Sequence, residues 1–169
     1  AHCSRPRLTI LPAAPDLLVM GQALPAGCGQ SPTTALLLKH LGLPNNTVSY
    51  SVNKVCSSGM RAVMSAADAI QLQQHEVAIA GGAECMSACP HLMRQVRRGC
   101  RFGAVSVEDG VEVDGLVDGT FGVKMGVCGD RLAGEFNVSR DEQDQLARAS
   151  FEHAIASQAQ PLDEIVPFE

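Results

Sequence analysis

Residues 53 to 70, NKVCSSGMRAVMSAADAI, put a cysteine where an alternating pattern stops and a helical one starts. Upstream, TVSYSV (47 to 52) alternates Val48, Tyr50 and Val52 with small polar residues, which predicts a half-buried strand. Downstream, Met60, Val63, Met64, Ala67 and Ile70 recur at the spacing of one helix face. Ala62, Ala66 and Ala69 keep the other side small, so both faces can be packed over an expected helix at 57 to 74. The next stretch, EVAIAGGAE (76 to 84), predicts a short buried strand running into a glycine turn. Strand, cysteine, helix and strand in this order describe a parallel α/β layer.

A helix precedes the strand at 47 to 52. PTTALLLKHL (32 to 41) consists of helix formers ended by Gly42 and Pro44. From Met86 to about residue 138, prolines, glycines and arginines break the periodicity and predict a long irregular segment. SRDEQDQLARASFEHAIASQ then restarts a helix, with Ser139 as N-cap and Glu142 completing a capping box. DEIVPF, at 163 to 168, has the pattern of a final strand.

Composition narrows the function classes. A chain of 169 residues with 46% hydrophobic and 18% charged residues can bury a core and is unlike a disordered tail. No apolar run approaches the ~18 residues of a membrane span. The net charge of −5 comes without a sustained basic face, and there is no tryptophan to stack on bases, so neither a membrane nor nucleic acid is the expected partner. The seven cysteines are irregularly spaced and form no CxxC pair, which supports neither a zinc site nor a disulfide framework. Their number suggests a reducing compartment, cytoplasmic or mitochondrial. The first twenty residues are only faintly like a transit peptide.

Cys56 therefore has two readings. A free cysteine is usually a small core residue. On a strand-to-helix turn, however, the unpaired N–H groups and the positive end of the helix dipole favour the thiolate, the nucleophilic form. Ser57, Ser58 and Gly59 leave its approach uncrowded, and backbone N–H groups there can meet a developing thioester oxyanion.

Five blocks, GQALPAGCGQSP, NKVCSSGMRAVMSAADAI, VAIAGGAECMSACPH, DGLVDGTFGVKMG and SRDEQDQLARASFEHA, occur in the order seen in thiolases. The cysteine block most resembles the acetoacetyl-CoA thiolases (acetyl-CoA C-acetyltransferases). The resemblance runs from about Asp16 to the end and implies a layered α/β/α core, N-terminal half only, with most of a loop domain. Residues 1–15 are unmatched, 16–85 belong to the N-terminal α/β domain with the nucleophile, and 86–169 to the loop domain.

By this resemblance Cys56 is the acyl-accepting nucleophile, Leu116 and Met125 line the pantetheine tunnel, and Lys124 stands where the family often has a histidine near pantetheine. The implied reaction condenses two acetyl-CoA to acetoacetyl-CoA and CoA, or reverses it, with coenzyme A only as part of the substrate and no separate cofactor or metal. The full-length form is expected to be a homodimer or homotetramer.

The chain departs from the family pattern in several places. The GHP histidine, the NEAF asparagine and the acid/base cysteine of CxGGG do not occur in these residues, so the chain resembles a thiolase truncated at both ends. Thr33 and Thr34 replace the end of GQNPAR, and Gly129, Asp130 and Arg131 replace AEN. The alternative is a non-catalytic acyl-CoA-binding pseudoenzyme or a partial gene product.

The remaining candidates are structural or open. Arg94, Arg97, Arg98 and Arg101 form a solvated loop or steer anionic CoA. His91 is expected to be a structural hydrogen-bonding residue. Glu84 is expected to hold a loop by accepting backbone hydrogen bonds. Cys85, Cys89, Cys100 and Cys128 have no partner motif. An incomplete sheet leaves open edges and apolar surface, which predicts self-association.

Overall fold

The centre of the fold is a strand that the alternation rule does not reveal. In a computed structural model describing residues 13–94, 96–158 and 164–166, β1 (Leu17–Gly21) is buried at every position. Its run LLVMG does not alternate because both of its faces are covered. Two parallel strands flank it, β2 (Val48–Val52) and β3 (Ala78–Gly82), giving the order β2-β1-β3. Leu17 lies opposite Val48 on one side and Ala78 on the other, and Gly21 opposite Val52 and Gly82.

Connectivity decides where the helices go. The chain leaves β1 through α1 (Pro32–Leu41) to reach β2, then returns through α2 (Ser58–Gln71) past β1 to β3. Right-handed crossovers in opposite directions put α1 and α2 on opposite faces of the sheet. Leu17 and Val19 accordingly pack with Ala62, Ala66 and Ala69 of α2, and alternation turns Leu18 and Met20 to the other face. This is the layered α/β arrangement expected from the sequence.

The strand starts are tied by side chains. The Asp16 carboxylate accepts the N–H groups of Glu76 (3.0 Å) and Val77 (3.1 Å) and lies 3.5 Å from His75 Nδ1. The Thr47 hydroxyl donates to the Pro15 carbonyl at 3.1 Å. Thr34 is buried and donates to the Ser31 carbonyl, while the Thr33 hydroxyl meets Ser51 Oγ at 3.2 Å.

Helix α2 packs on one face only. Its small side, Ser58, Ala62, Ala66 and Ala69, lies against the sheet, whereas Met60 is 69% and Val63 57% exposed. Small residues win the sheet-facing position because the opposing surface, with Gly21 and Gly82, admits close approach. The helix also ends at Gln71 rather than at 74. Gln73 takes a left-handed φ of 58°, and the Gln74 N–H bonds back to the Ala69 carbonyl, which closes the helix in a Schellman-like turn.

Beyond β3, the chain runs through short turns and a two-residue antiparallel pair, β4 (His91–Leu92) with β5 (Glu108–Asp109). Arg94 pairs with Glu108 across it. The chain divides into two compact units, Ala1–Val117 and Asp118–Glu169. The second contains α3 (Met125–Glu135) and α4 (Arg140–Gln158). Helix α3 corrects the irregular reading of this stretch: Gly126, Gly129 and Gly134 lower its propensity and mask it in the sequence. The capping box forms as expected. The Ser139 N–H and hydroxyl donate to Glu142 Oε2 at 2.8 and 2.7 Å, and the Glu142 N–H donates to Ser139 Oγ at 3.3 Å. Of the expected strand at 163–168, the described residues Glu164, Ile165 and Val166 form no strand, and the others lie outside the described residues, as do residues 1–12.

Candidate active site

All three strands point their carboxyl ends at one place. The segment after β1 supplies Ala23 and Leu24, the turn after β2 supplies Val55 and Cys56, and the segment after β3 supplies Ala83 and Glu84. Together with Gly59, Met86, Val111, Gly115 and Leu116 they line a cavity of about 430 Å³. In an open α/β sheet the crevice beyond the carboxyl ends, where the chain reverses direction, is the general location of a ligand site. The volume falls within the range of small-molecule pockets, and the walls are mostly apolar.

Cys56 is exposed and two residues ahead of α2, as its sequence position requires. Glycine allows that helix to start so close to the sheet. A Cβ on Gly21 would stand 2.5 Å from the Gly59 nitrogen and 2.6 Å from the Ser58 carbonyl oxygen, so the end of β1 and the first turn of α2 are in backbone contact. Gly82 is less confined, its Cβ position lying 3.2 Å from the Gly21 carbonyl oxygen and in ordinary contact, 3.6 Å, with Gly59 Cα.

The turn is held by its serines. The Ser57 hydroxyl donates to the Lys54 carbonyl at 2.9 Å, and the Ser58 hydroxyl to the Val55 carbonyl at 2.6 Å. Ser58 Oγ in turn accepts the Lys54 N–H at 2.9 Å. With these side chains turned back into the loop, neither serine caps the first-turn N–H groups of α2. The Ser57 and Ser58 N–H groups are taken by the Lys54 and Val55 carbonyls at 3.1 Å, so it is the first-turn donors beyond Ser58 that suit an incoming oxyanion.

Glu84 has the expected structural role. Its carboxylate accepts the Ala23 N–H at 2.6 Å and the Leu24 N–H at 3.2 and 3.3 Å, joining the segments after β1 and β3. Cys89 is half-buried, and burial, followed by the nearby Asp109 and Asp114 carboxylates, pushes its thiol pKa up, which fits a packing thiol rather than a reactive one. His91 sits in the β4 pair, and Arg94, Arg97 and Arg98 line a separate concavity with Gly99.

Of the sequence-selected residues, Cys56 and Leu116 share the cavity wall. Lys124 and Met125 belong to the second unit, where Lys124 occupies the N-cap of α3 with extended backbone and Met125 is the first helical residue, half-exposed. Sequence reasoning missed Asn53 and Gly21. An Asn two residues before a strained turn position is an Asx-turn signal, and the glycine ending an apolar run marks close backbone approach.

Comparison with known proteins identifies the family. Residues 7–169 match the family model described as thiolase, N-terminal domain. Over 165 residues the chain is 42% identical to acetyl-CoA acetyltransferase 2 of Arabidopsis thaliana, covering 96% of this chain and 41% of the relative. Similarity to the acetyl-CoA acetyltransferase of Cupriavidus necator is 40% identity (95% and 41% covered), and to that of Saccharomyces cerevisiae 38% (90% and 38% covered). The chain thus spans about two fifths of the length of these relatives.

Proposed function

Because this chain belongs to the thiolase family, we propose that it supplies the nucleophile half of an acetyl-CoA C-acetyltransferase, with Cys56 as the acyl acceptor. One observation carries the reading: the cysteine of the family's block stands at a helix start in the wall of the cavity where all three parallel strands end.

The Cys56 thiolate attacks the carbonyl carbon of acetyl-CoA, and the tetrahedral oxyanion is met by N–H groups at the start of α2. Collapse forms the acetyl thioester on Cys56 and releases CoA as its thiolate. In the second half-reaction an α-deprotonated acetyl-CoA attacks that thioester, giving acetoacetyl-CoA and regenerating the Cys56 thiolate. The reverse sequence is the cleavage. In this reading Leu116, which shares the cavity wall with Cys56, lines the pantetheine tunnel. Coenzyme A enters as part of the substrate, and the reading calls for no separate cofactor. Proton abstraction beside a thioester needs a positioned base, and among the described residues the one carboxylate in the cavity wall is Glu84, which is engaged with two backbone N–H groups.

The test is mass mapping of the chain after incubation with acetyl-CoA. A stoichiometric acetyl adduct on Cys56, absent in Cys56→Ala, is the expected result, with turnover to acetoacetyl-CoA lower by ~10²- to 10⁴-fold or more for want of the base. Acetylation spread over the exposed thiols, Cys28, Cys85 and Cys100 included, would defeat the proposal.

A further inference from the structure

The residue before the cysteine is in a conformation its type avoids. Val55 has a φ of 49°, in the left-handed region that a β-branched side chain adopts only when its surroundings force it. Side-chain burial is not the force, since Val55 is 48% exposed. The clamp is on the backbone at both ends of the residue. On one end, the Val55 N–H donates to Asn53 Oδ1 at 3.0 Å. On the other, the Val55 carbonyl accepts the Ser58 hydroxyl at 2.6 Å and the Ser58 N–H at 3.1 Å.

Asn53 is itself anchored at a distance in sequence. Its Nδ2 donates to the Ala23 carbonyl at 3.0 Å, and the N–H groups of Ala23 and Leu24 are gripped by Glu84. One amide side chain therefore ties the turn after β2 to the segment after β1, which is tied in turn to the segment after β3. The three strand ends that form the cavity wall are linked through Asn53 to the backbone one residue before Cys56.

We propose that Asn53 is a positioning residue for acyl transfer: anchored on Ala23, it holds Val55 in the left-handed conformation and so sets the direction in which Cys56 leaves the turn into the cavity. The inference rests on the reading of Cys56 as the nucleophile, and the experiment separates the two. A residue that fixes the approach of a reacting atom affects rate strongly, because a misplacement of about 1 Å can cost ~10²-fold.

The measurement is the rate of iodoacetamide alkylation of Cys56 relative to exposed Cys100 in the same molecules, read by peptide mapping. Asn53→Ala is expected to change this ratio by about 10-fold or more. Adding Val55→Gly is expected to restore much of it, since glycine adopts the left-handed conformation without the clamp. A general loss of structure would not be repaired by a glycine. If Asn53→Ala fails to fold by circular dichroism, Asn53→Ser, whose hydroxyl makes the same turn more weakly, should give an intermediate ratio. An unchanged ratio in the folded variant overturns the proposal, and so does a changed ratio that Val55→Gly leaves unrestored. Failure of acetyl-CoA to acetylate Cys56 in the unaltered chain would instead overturn the nucleophile reading, because the alkylation ratio uses no acetyl-CoA.

Discussion

The two units achieve order by different means. In Ala1–Val117 a strand buried on both faces carries the core: Leu17, Leu18 and Val19 are at most 1% exposed, and the helix on one face reaches them through alanines. In Asp118–Glu169 no described residue is buried. Phe121, Phe136, Leu146 and Phe151 all stand largely exposed, and the visible supports are local: the Ser139–Glu142 capping box and the Arg140–Asp144 pair one helical turn apart. Long-range packing sets one unit, and the supports seen in the other are short-range hydrogen bonds and an ion pair. Only the first kind of order can hold three distant segments around a cavity.

This contrast is most exposed to a truncation in each unit. Leu18→Ala should cost about 2–5 kcal/mol, as buried leucines do, whereas Leu146→Ala in α4 should stay within about 0.5 kcal/mol. Urea unfolding followed by circular dichroism measures both, and equal losses would break the comparison. A smaller effect, about 1–3 kcal/mol, is expected for Gly21→Ala, because the new methyl group would meet backbone rather than a movable side chain. Its signature should include altered alkylation of Cys56, since the contact displaced is the first turn of α2.

The smallest effect lies in the second unit and in pH. Ser139→Ala removes the N-cap of α4 and should cost about 1 kcal/mol of local helix stability, read as lost amide protection over residues 140–144 with the sheet unaffected. Acid should act on both units through one carboxylate in each. The Glu76 N–H, helped by Val77 and His75 and opposed by partial burial, holds the Asp16 carboxyl below its ordinary value, and the Ser139 hydroxyl and N–H do the same for Glu142. A depressed folded pKa means that the unfolded chain binds protons first as pH falls. The stabilisation is thus present above the unfolded carboxylate value and is lost as pH drops through the folded one. Asp16→Asn should remove part of the acid sensitivity of the sheet, and Glu142→Gln that of the start of α4.

Local signals were read correctly where local forces decide. The capping box at Ser139, the helix 32–41 ended by Gly42, the strand around Tyr50 and the helix start after Cys56 each follow from residues within a few positions of one another. Strand β1 was not recognised, because a strand covered on both faces loses the alternation that identifies it. Helix α3 was hidden by its glycines. Among site residues, Cys56 was legible from its position between a strand and a helix, and Glu84 from the glycine turn before it. Asn53 was not, since its importance comes from Ala23, thirty residues earlier in the chain.

The sequence by itself determined the helix, strand, cysteine, helix and strand order between residues 32 and 84, the cysteine's place at a helix start and the family to which the blocks are similar, because each depends on neighbours along the chain. Only the tertiary structure decided which face of α2 is covered, that the segments after all three strands converge on one cavity, and that Val55 is held in a left-handed turn by an amide anchored on a different strand's end. The reason is physical: parallel strands join residues far apart in sequence, and no local propensity encodes which of two apolar helix faces will find the glycines that let it approach.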